Sequence, residues 1–592
     1  MYIFYIGRKP ENSFQKKQDF LYKPQESITK NNDNRRFICY NSLINILFKV
    51  DKKMVKQFEK LGVMVDCSRN SVMTPNAVKK LIDVLSALGY NTIKLYTEDT
   101  YEIEGEPFFG YMRGRYTKEE IKDIDAYAIS KGMELIPCIQ TLAHLETIFR
   151  WETYTGIRDT GPVLLVDEEK TYSLIEKMFK TLAESFTSRT VNIGMDEAQG
   201  LGRGVYEDKH GAVPMVDIMS KHLKRVLAIA DKYGFTCEMW SDMFMHMAYG
   251  DFFTKKYDKS EEVKPKIPHN VRLIYWDYYH KDYEHYANTL DRHLKLTDNV
   301  QFAGGAWTWS GFCPNIRFSF ATTKPAFEAC KARGIKEYCF TMWGDNGGEC
   351  SPFMVLPVLV AAAEYNKGNY DEESIKRRFK KVVGMDYDAF LALEYPNLPE
   401  LDQPPRITSA VKYALYNDPF KGLMDTQMGS DKGARFKEIA EELKKYAKNK
   451  KWGYIFKSVS ALSSVCEIKF YLGVRTHELY KKGDKDGLKA LASNEYKEVL
   501  KRLKIFYSAF ENYWMTEKKP HGFDVQDIRL GGLIQRIEHC RKMLLDYVAG
   551  KLENIPELEE TQLEIYHTKE SPYYQREIYL NHHTRTVTPN VL

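Results

Sequence analysis

Asp196 and Glu197 stand side by side at the end of an apolar run, TVNIGMDE (190–197), and adjacent carboxylates at such a point are suited to acid–base work. Neighbouring side chains on a regular strand face opposite sides, so both can enter one site only where the strand ends and twists into its loop. They would then reach different atoms of a ligand. A retaining glycosidase with its own nucleophile needs carboxylates about 5–5.5 Å apart across the anomeric carbon, an awkward fit for consecutive residues. Hydrolysis in which a sugar's 2-acetamido oxygen attacks C1 fits better, since it needs no enzyme nucleophile.

Similar polar residues recur where other apolar runs end: Asp66 and Arg69, Glu98 and Asp99, His144, Trp240 and Asp242, Trp276 with Asp277 and Tyr278, Trp307 and Trp309, Trp343 and Asp345. Any one of them reads as readily as a loop charge or a packed aromatic. Together, acids and tryptophans at one end of apolar runs describe a carbohydrate site better than a phosphate or metal site. His144 is the one histidine evident at these ends, and no Cys/His metal spacing is present, so neither a metal nor another cofactor is expected.

The elements that must position these groups repeat one grammar from residue 62, an apolar strand followed by an amphipathic helix. The candidate strands are 62–68, 90–98, 133–140, 190–197, 235–243, 271–279, 299–307 and 335–343. Thr74 with Pro75, and Thr117 with Glu120, mark helix starts, while Gly89, Gly132, Gly234 and Gly334 stand where a left-handed residue joins helix to strand. Near-continuous apolar strands indicate a parallel sheet buried on both faces. Eight such units predict an α/β chain with a (β/α)₈ TIM barrel, whose chemistry belongs at the C-terminal strand ends. An open doubly wound sheet is the alternative, but no Gly-rich phosphate loop follows the first strand.

The barrel is assigned to residues 61–368, and residues 369–592 to an α-helical C-terminal domain, with long helical segments at 431–450, 455–481, 485–515 and 525–554. Residues 1–60 form a small N-terminal segment of uncertain fold. The C-terminal helices are candidates for closing the site or building a homodimer. Lys and Arg number 86 against 81 Asp and Glu, a balance that does not suggest nucleic acid. No apolar run is long enough to span a membrane, the N-terminus lacks a signal peptide's order, and the ten cysteines read as free thiols, so a cytoplasmic location is expected.

VNIGMDEA (191–198), DCSRN (66–70) and TMWGDNGGE (341–349) together resemble motifs of glycoside hydrolase family 20, the β-N-acetylhexosaminidases, over about residues 60–365. The resemblance implies exo-acting, retaining removal of terminal β-linked GlcNAc or GalNAc from oligosaccharides or glycoconjugates through an oxazolinium. It makes Glu197 the general acid and then base, and Asp196 the group that holds the acetamide nitrogen and stabilises the positive charge. Arg69 would bind the outer hydroxyls, and His144 would support Glu197 through contact with Glu98. Trp240, Trp276 and Trp343 would wall the acetamide pocket. Asp345 stands where the family usually has Glu, facing O4 and O6. AWTWS (306–310) lacks the tyrosine expected to bind the acetamide oxygen, so Tyr278 is the substitute and Tyr275 the second choice, with Trp307 and Trp309 lining the sugar site. Two other readings stand beside this one: a glycoside hydrolase with separated carboxylates, Glu98 or Asp345 being the partner, and a catalytically silent glycan-binding barrel.

Overall fold

In the computed structural model, which describes residues 56–398, 405–563 and 582–591, strand and helix alternate from Lys60 onward. The strands are β1 (Lys60–Asp66), β2 (Thr92–Tyr96), β3 (Glu134–Cys138), β4 (Thr190–Asn192), β5 (Thr236–Trp240), β6 (Val271–Trp276), β7 (Val300–Gly305) and β8 (Glu337–Met342). Neighbours pair in parallel and β1 pairs with β8, which closes the barrel and excludes the open sheet. The proposed N-terminal segment lies almost wholly outside the described residues.

Local signals work as predicted. Thr74 accepts the Ala77 N–H ahead of helix α1 (Pro75–Leu88), and Thr117 and Glu120 cap helix α2 (Lys118–Ser130) reciprocally. Gly89, Gly132, Gly234 and Gly334 have φ of 96°, 71°, 73° and 68°. One departure lies inside the barrel, where Lys94 of β2 pairs with Glu238 of β5, both buried, and Gln301 of β7 lies 3.5 Å from the ammonium. Neither charge is tolerable alone in such a place, so each strand's polar residue is matched by one from across the interior.

Past β8 the described elements are helical. Those used below are α3 (Ala410–Tyr416), α4 (Lys485–Glu517) and α5 (Phe523–Val548); the run 455–481 is two helices, Gly453–Lys469 and Leu472–Lys481. Barrel and helices share one compact unit that begins at Lys56. The end of α4 docks on the loop after β1: Met73 bridges Lys518 in antiparallel fashion, Thr74 N–H donates to the Glu517 carbonyl (2.9 Å), and Lys519 N–H donates to the Val72 carbonyl (2.8 Å).

Candidate active site

Strand β4 is short because its chain turns away at Asn192, whose Oδ1 accepts the Gly194 N–H at 2.8 Å. Gly194, Met195 and Glu197 have φ of 73°, 69° and 51°. A Cβ at Gly194 would collide with the Gln140 amide and lie 2.8 Å from the Ile139 carbonyl, so only glycine fits there. Left-handed backbone at two non-glycine residues is strained and persists where surroundings impose it. Its result is that consecutive carboxylates converge: His144 Nε2 lies 3.2 Å from Asp196 Oδ2 and 3.5 Å from Glu197 Oε2. The Nε2–H is aligned on neither oxygen, so the contact is one of charge. Asp196 is buried, whereas the Glu197 side chain is 45% exposed.

Burial works against ionisation of Asp196, but His144 and the Gln140 amide outweigh it and hold the carboxyl below its usual range. His144 is penalised by burial too, yet the neighbouring carboxylates, Asp196 foremost, raise it to about 10. Gln140 Nε2 donates to Asp196 Oδ1 (2.7 Å) and to Tyr96 Oη (2.9 Å), and Tyr96 Oη donates to Glu98 Oε1 (3.2 Å). Burial pushes Glu98 to about 7 against the pull of Arg69 and His144. The expected His144–Glu98 contact therefore gives way to a relay through Gln140 and Tyr96, while His144 pairs with the β4 carboxylates. The polar end of MELIPCIQ is the trace that Gln140 leaves in the sequence.

Asp242, just past β5, accepts the Glu197 N–H at Oδ2 (2.8 Å), and Trp276 Nε1–H reaches its Oδ1 at 3.4 Å. Burial, with the Asp196 charge, pushes Asp242 to about 8. It is visible in the sequence as one more strand-end acid, with nothing to separate it from the rest.

Arg69 forms the opposite wall. Its guanidinium bonds Asp66 (3.0 Å), lies 3.7 Å from both Glu98 and Asp345, and sits 4.8 Å from the Trp343 ring centroid. Asp345, 38% exposed, is pushed to about 6 by burial despite Arg69. Trp343 packs near Trp240 (6.1 Å), whose buried Nε1–H has no acceptor among the described residues. Tyr278 stacks on Trp276 (5.3 Å) with its hydroxyl beside Thr341 and Trp343 and within the field of Asp196. Tyr275 is placed elsewhere: it is wholly buried and donates to Asp277 Oδ2 at 2.8 Å. Trp307, expected to line the sugar site, is instead wholly buried, stacked on Trp309 (4.0 Å), with Nε1–H given to the Tyr278 carbonyl (2.9 Å). It therefore supports Tyr278 from behind and offers no sugar platform. Trp309, 2% exposed, meets the Tyr278 ring edge-on at 5.4 Å. Tyr279, 40% exposed and near the charges of Asp345 and Glu197, is an additional rim residue.

His144 is not the only strand-end histidine. His280 Nδ1 and His285 Nε2 both reach Asp277 Oδ2 at 2.9 Å, close enough together for a shared cation. Their rings are parallel to within 10° at 3.3 Å, so their in-plane nitrogens do not aim at a common point beyond the carboxylate. With Tyr275 Oη and the Tyr279 N–H (3.0 Å) also donating, Asp277 gathers a hydrogen-bond network that fixes the segment carrying Tyr278. Farther out on the same barrel face, Phe108, Tyr111 and Trp151 form a partly exposed aromatic patch with centroids 5.3–5.9 Å apart. Arg113 ties its loop to the Ser68 carbonyl and to Asp99 (2.8 Å), beside Arg69 and Glu98.

Residues 58–290 match the catalytic domain of glycosyl hydrolase family 20, and residues 388–576 match the glycoside hydrolase 20C C-terminal domain. Hexosaminidase D of Bos taurus is 23% identical over 244 residues, 39% of this chain and 65% of that protein. A probable beta-hexosaminidase of Arthroderma benhamiae is 21% identical over 328 residues, 49% of each chain. Less than two thirds of either relative's length is thus covered. Among solved structures, a GH20 exo-β-N-acetylglucosaminidase from Vibrio harveyi, in complex with N-acetylglucosamine, aligns with a TM-score of 0.43 at 17% identity, covering 57% of this chain and 58% of that one.

Proposed function

Since the chain belongs to glycoside hydrolase family 20, we propose that it is a retaining exo-β-N-acetylhexosaminidase acting on terminal GlcNAc or GalNAc with the substrate acetamide as nucleophile. The observation that carries this reading is the convergence of consecutive Asp196 and Glu197 on one histidine. Glu197, half in solvent, donates its proton to the leaving oxygen and then takes one from the attacking water. Asp196, ionised beside a charged His144, orients the acetamide N–H and offsets the positive charge that develops on cyclisation. Trp240, Trp276, Trp343 and Tyr278 surround the acetamide, and Arg69 with Asp345 holds the outer hydroxyls. The patch at Phe108, Tyr111 and Trp151 offers flat apolar faces to a sugar ring on the leaving-group side. A cytoplasmic setting belongs to the same reading, in keeping with the nine cysteines among the described residues, all buried and free.

The test is hydrolysis of chromogenic β-GlcNAc and β-GalNAc glycosides, followed by inhibition with a thiazoline that imitates the cyclised intermediate. Turnover with tight thiazoline binding is expected. Turnover that the thiazoline does not inhibit favours a hydrolase with separated carboxylates, and saccharide binding without turnover favours a silent barrel.

A further inference from the structure

The loop after β8 is gripped by the helical region. Four consecutive carbonyls each accept from a side chain there: Asn346 from Arg529 Nη1 (2.7 Å) and Lys412 Nζ (3.2 Å), Gly347 from Gln526 Nε2 (3.2 Å), Gly348 from Lys518 Nζ, and Glu349 from Tyr513 Oη (3.0 Å). Arg529 Nη2 also donates to Asn346 Oδ1 (2.8 Å), and the buried Glu349 carboxylate joins Lys412 (2.6 Å) to Arg529 (3.0 Å). Lys412 lies on α3, Tyr513 on α4, and Gln526 and Arg529 on α5.

The held backbone needs holding. Asn346, Gly347 and Gly348 have φ of 55°, 132° and 61°, a run that an unsupported loop would leave. Burial lowers the Lys412 ammonium below its ordinary range, with Arg529 adding to the effect and Glu349 opposing it. Two cations sharing one buried carboxylate gain little stability over packed apolar side chains. What they supply is direction, since fixed donors define where the main chain runs. Asp345 immediately precedes the gripped stretch and faces Arg69 at 3.7 Å.

We propose that the helical region is a working part of the sugar site, with Arg529 the positioning residue that fixes Asp345 against Arg69 through the main chain of Asn346. This rests on the reading that Asp345 binds the sugar's outer hydroxyls. Arg529 acts on substrate binding and hardly on the chemical step, because Glu197 and Asp196 are held by other strands.

A double-mutant cycle tests it, with Arg529→Met and Asp345→Asn made singly and together and assayed on both chromogenic hexosaminides. Arg529→Met should raise KM about tenfold with kcat changed less than about threefold, and should add less than about twofold to KM in the Asp345→Asn background. Arg529→Lys should recover part of the loss by restoring a donor to the Asn346 carbonyl. Equal KM penalties in both backgrounds overturn the proposal, since Arg529 then acts elsewhere. If Arg529→Met does not fold, Gln526→Met, which removes one grip, goes through the same cycle with the same two outcomes. Should wild type turn over no hexosaminide, the catalytic reading fails instead, and the cycle is read on the dissociation constant of free GlcNAc.

Discussion

The main-chain N–H of Glu197 donates to Asp242 Oδ2 at 2.8 Å, so the proposed acid is oriented through its backbone by a carboxyl that burial pushes to about 8. An acid raised this far above its ordinary range keeps its proton in the folded state and loses it on unfolding. Its stabilising contribution is complete below about pH 4 and disappears as pH rises through about 8. Asp242→Asn, which has no proton to lose, should therefore gain melting temperature relative to wild type as pH rises across that window. Glu98 and Asp345 act with the same sign in wild type and variant alike. Parallel melting-temperature profiles for wild type and variant would remove Asp242 from this role.

Glu197→Gln should keep the fold and lower glycosidic cleavage by about 10²-fold or more for poor leaving groups, because an amide cannot deliver the proton. Substrates with acidic leaving groups need less help and should lose less. A leaving-group series measured in that single step decides the matter, and a uniform loss would deny Glu197 the acid role.

Asp196→Asn should depress kcat more than it raises KM, since the amide still reaches the acetamide but carries no charge. It should also release His144, whose position near 10 depends on that carboxylate, to fall toward the ordinary imidazole range. Histidine NMR titration reports the fall directly. A His144 that stayed near 10 would assign its charge partner to Glu197 instead.

Tyr278→Phe removes only the hydroxyl proposed to hold the acetamide carbonyl, and should cost about 10²-fold in turnover with a parallel loss of thiazoline affinity. Tyr275→Phe should leave kinetics nearly unchanged but cost about 1–3 kcal/mol of stability, because Asp277 loses a buried donor. Normal rates in the Tyr278 variant would pass the role to another donor, and the Trp240 Nε1–H, which has no acceptor among the described residues, is the first to examine.

Trp151→Ala should spare small chromogenic monosaccharides to within about twofold and lower kcat/KM on β-linked disaccharides by about tenfold. Equal losses on both substrate types would show that the patch only props up its loop.

Periodicity and turn chemistry made the barrel legible, since every strand but β7 announced itself by an apolar run with a glycine before it or an acid after it, and β7 by its apolar run alone. The adjacent carboxylates were legible for the same reason. Lys94 and Glu238 were not, because each lies in an otherwise apolar strand and finds its partner only when the sheet closes. Gln140 and Asp242 were hidden differently, as ordinary polar strand ends until the left-handed turn at Met195 and Glu197 brings main chain and carboxylates to them. Trp307 looked like a platform because composition does not reveal which side of Tyr278 a tryptophan occupies.

The antiparallel bridge between Met73 and Lys518 bears on how the molecule is made. Synthesis runs from the N-terminus, so the loop after β1 waits for a partner that the ribosome adds only after all eight strands. Gly522, at φ 84°, is pressed so closely on the Asn70 carbonyl that no larger side chain would fit there. The mouth of the barrel is thus among the last regions completed on a nascent chain. A chain that stopped between residues 368 and 517 would contain every barrel strand and still lack the partners that complete the proposed sugar site.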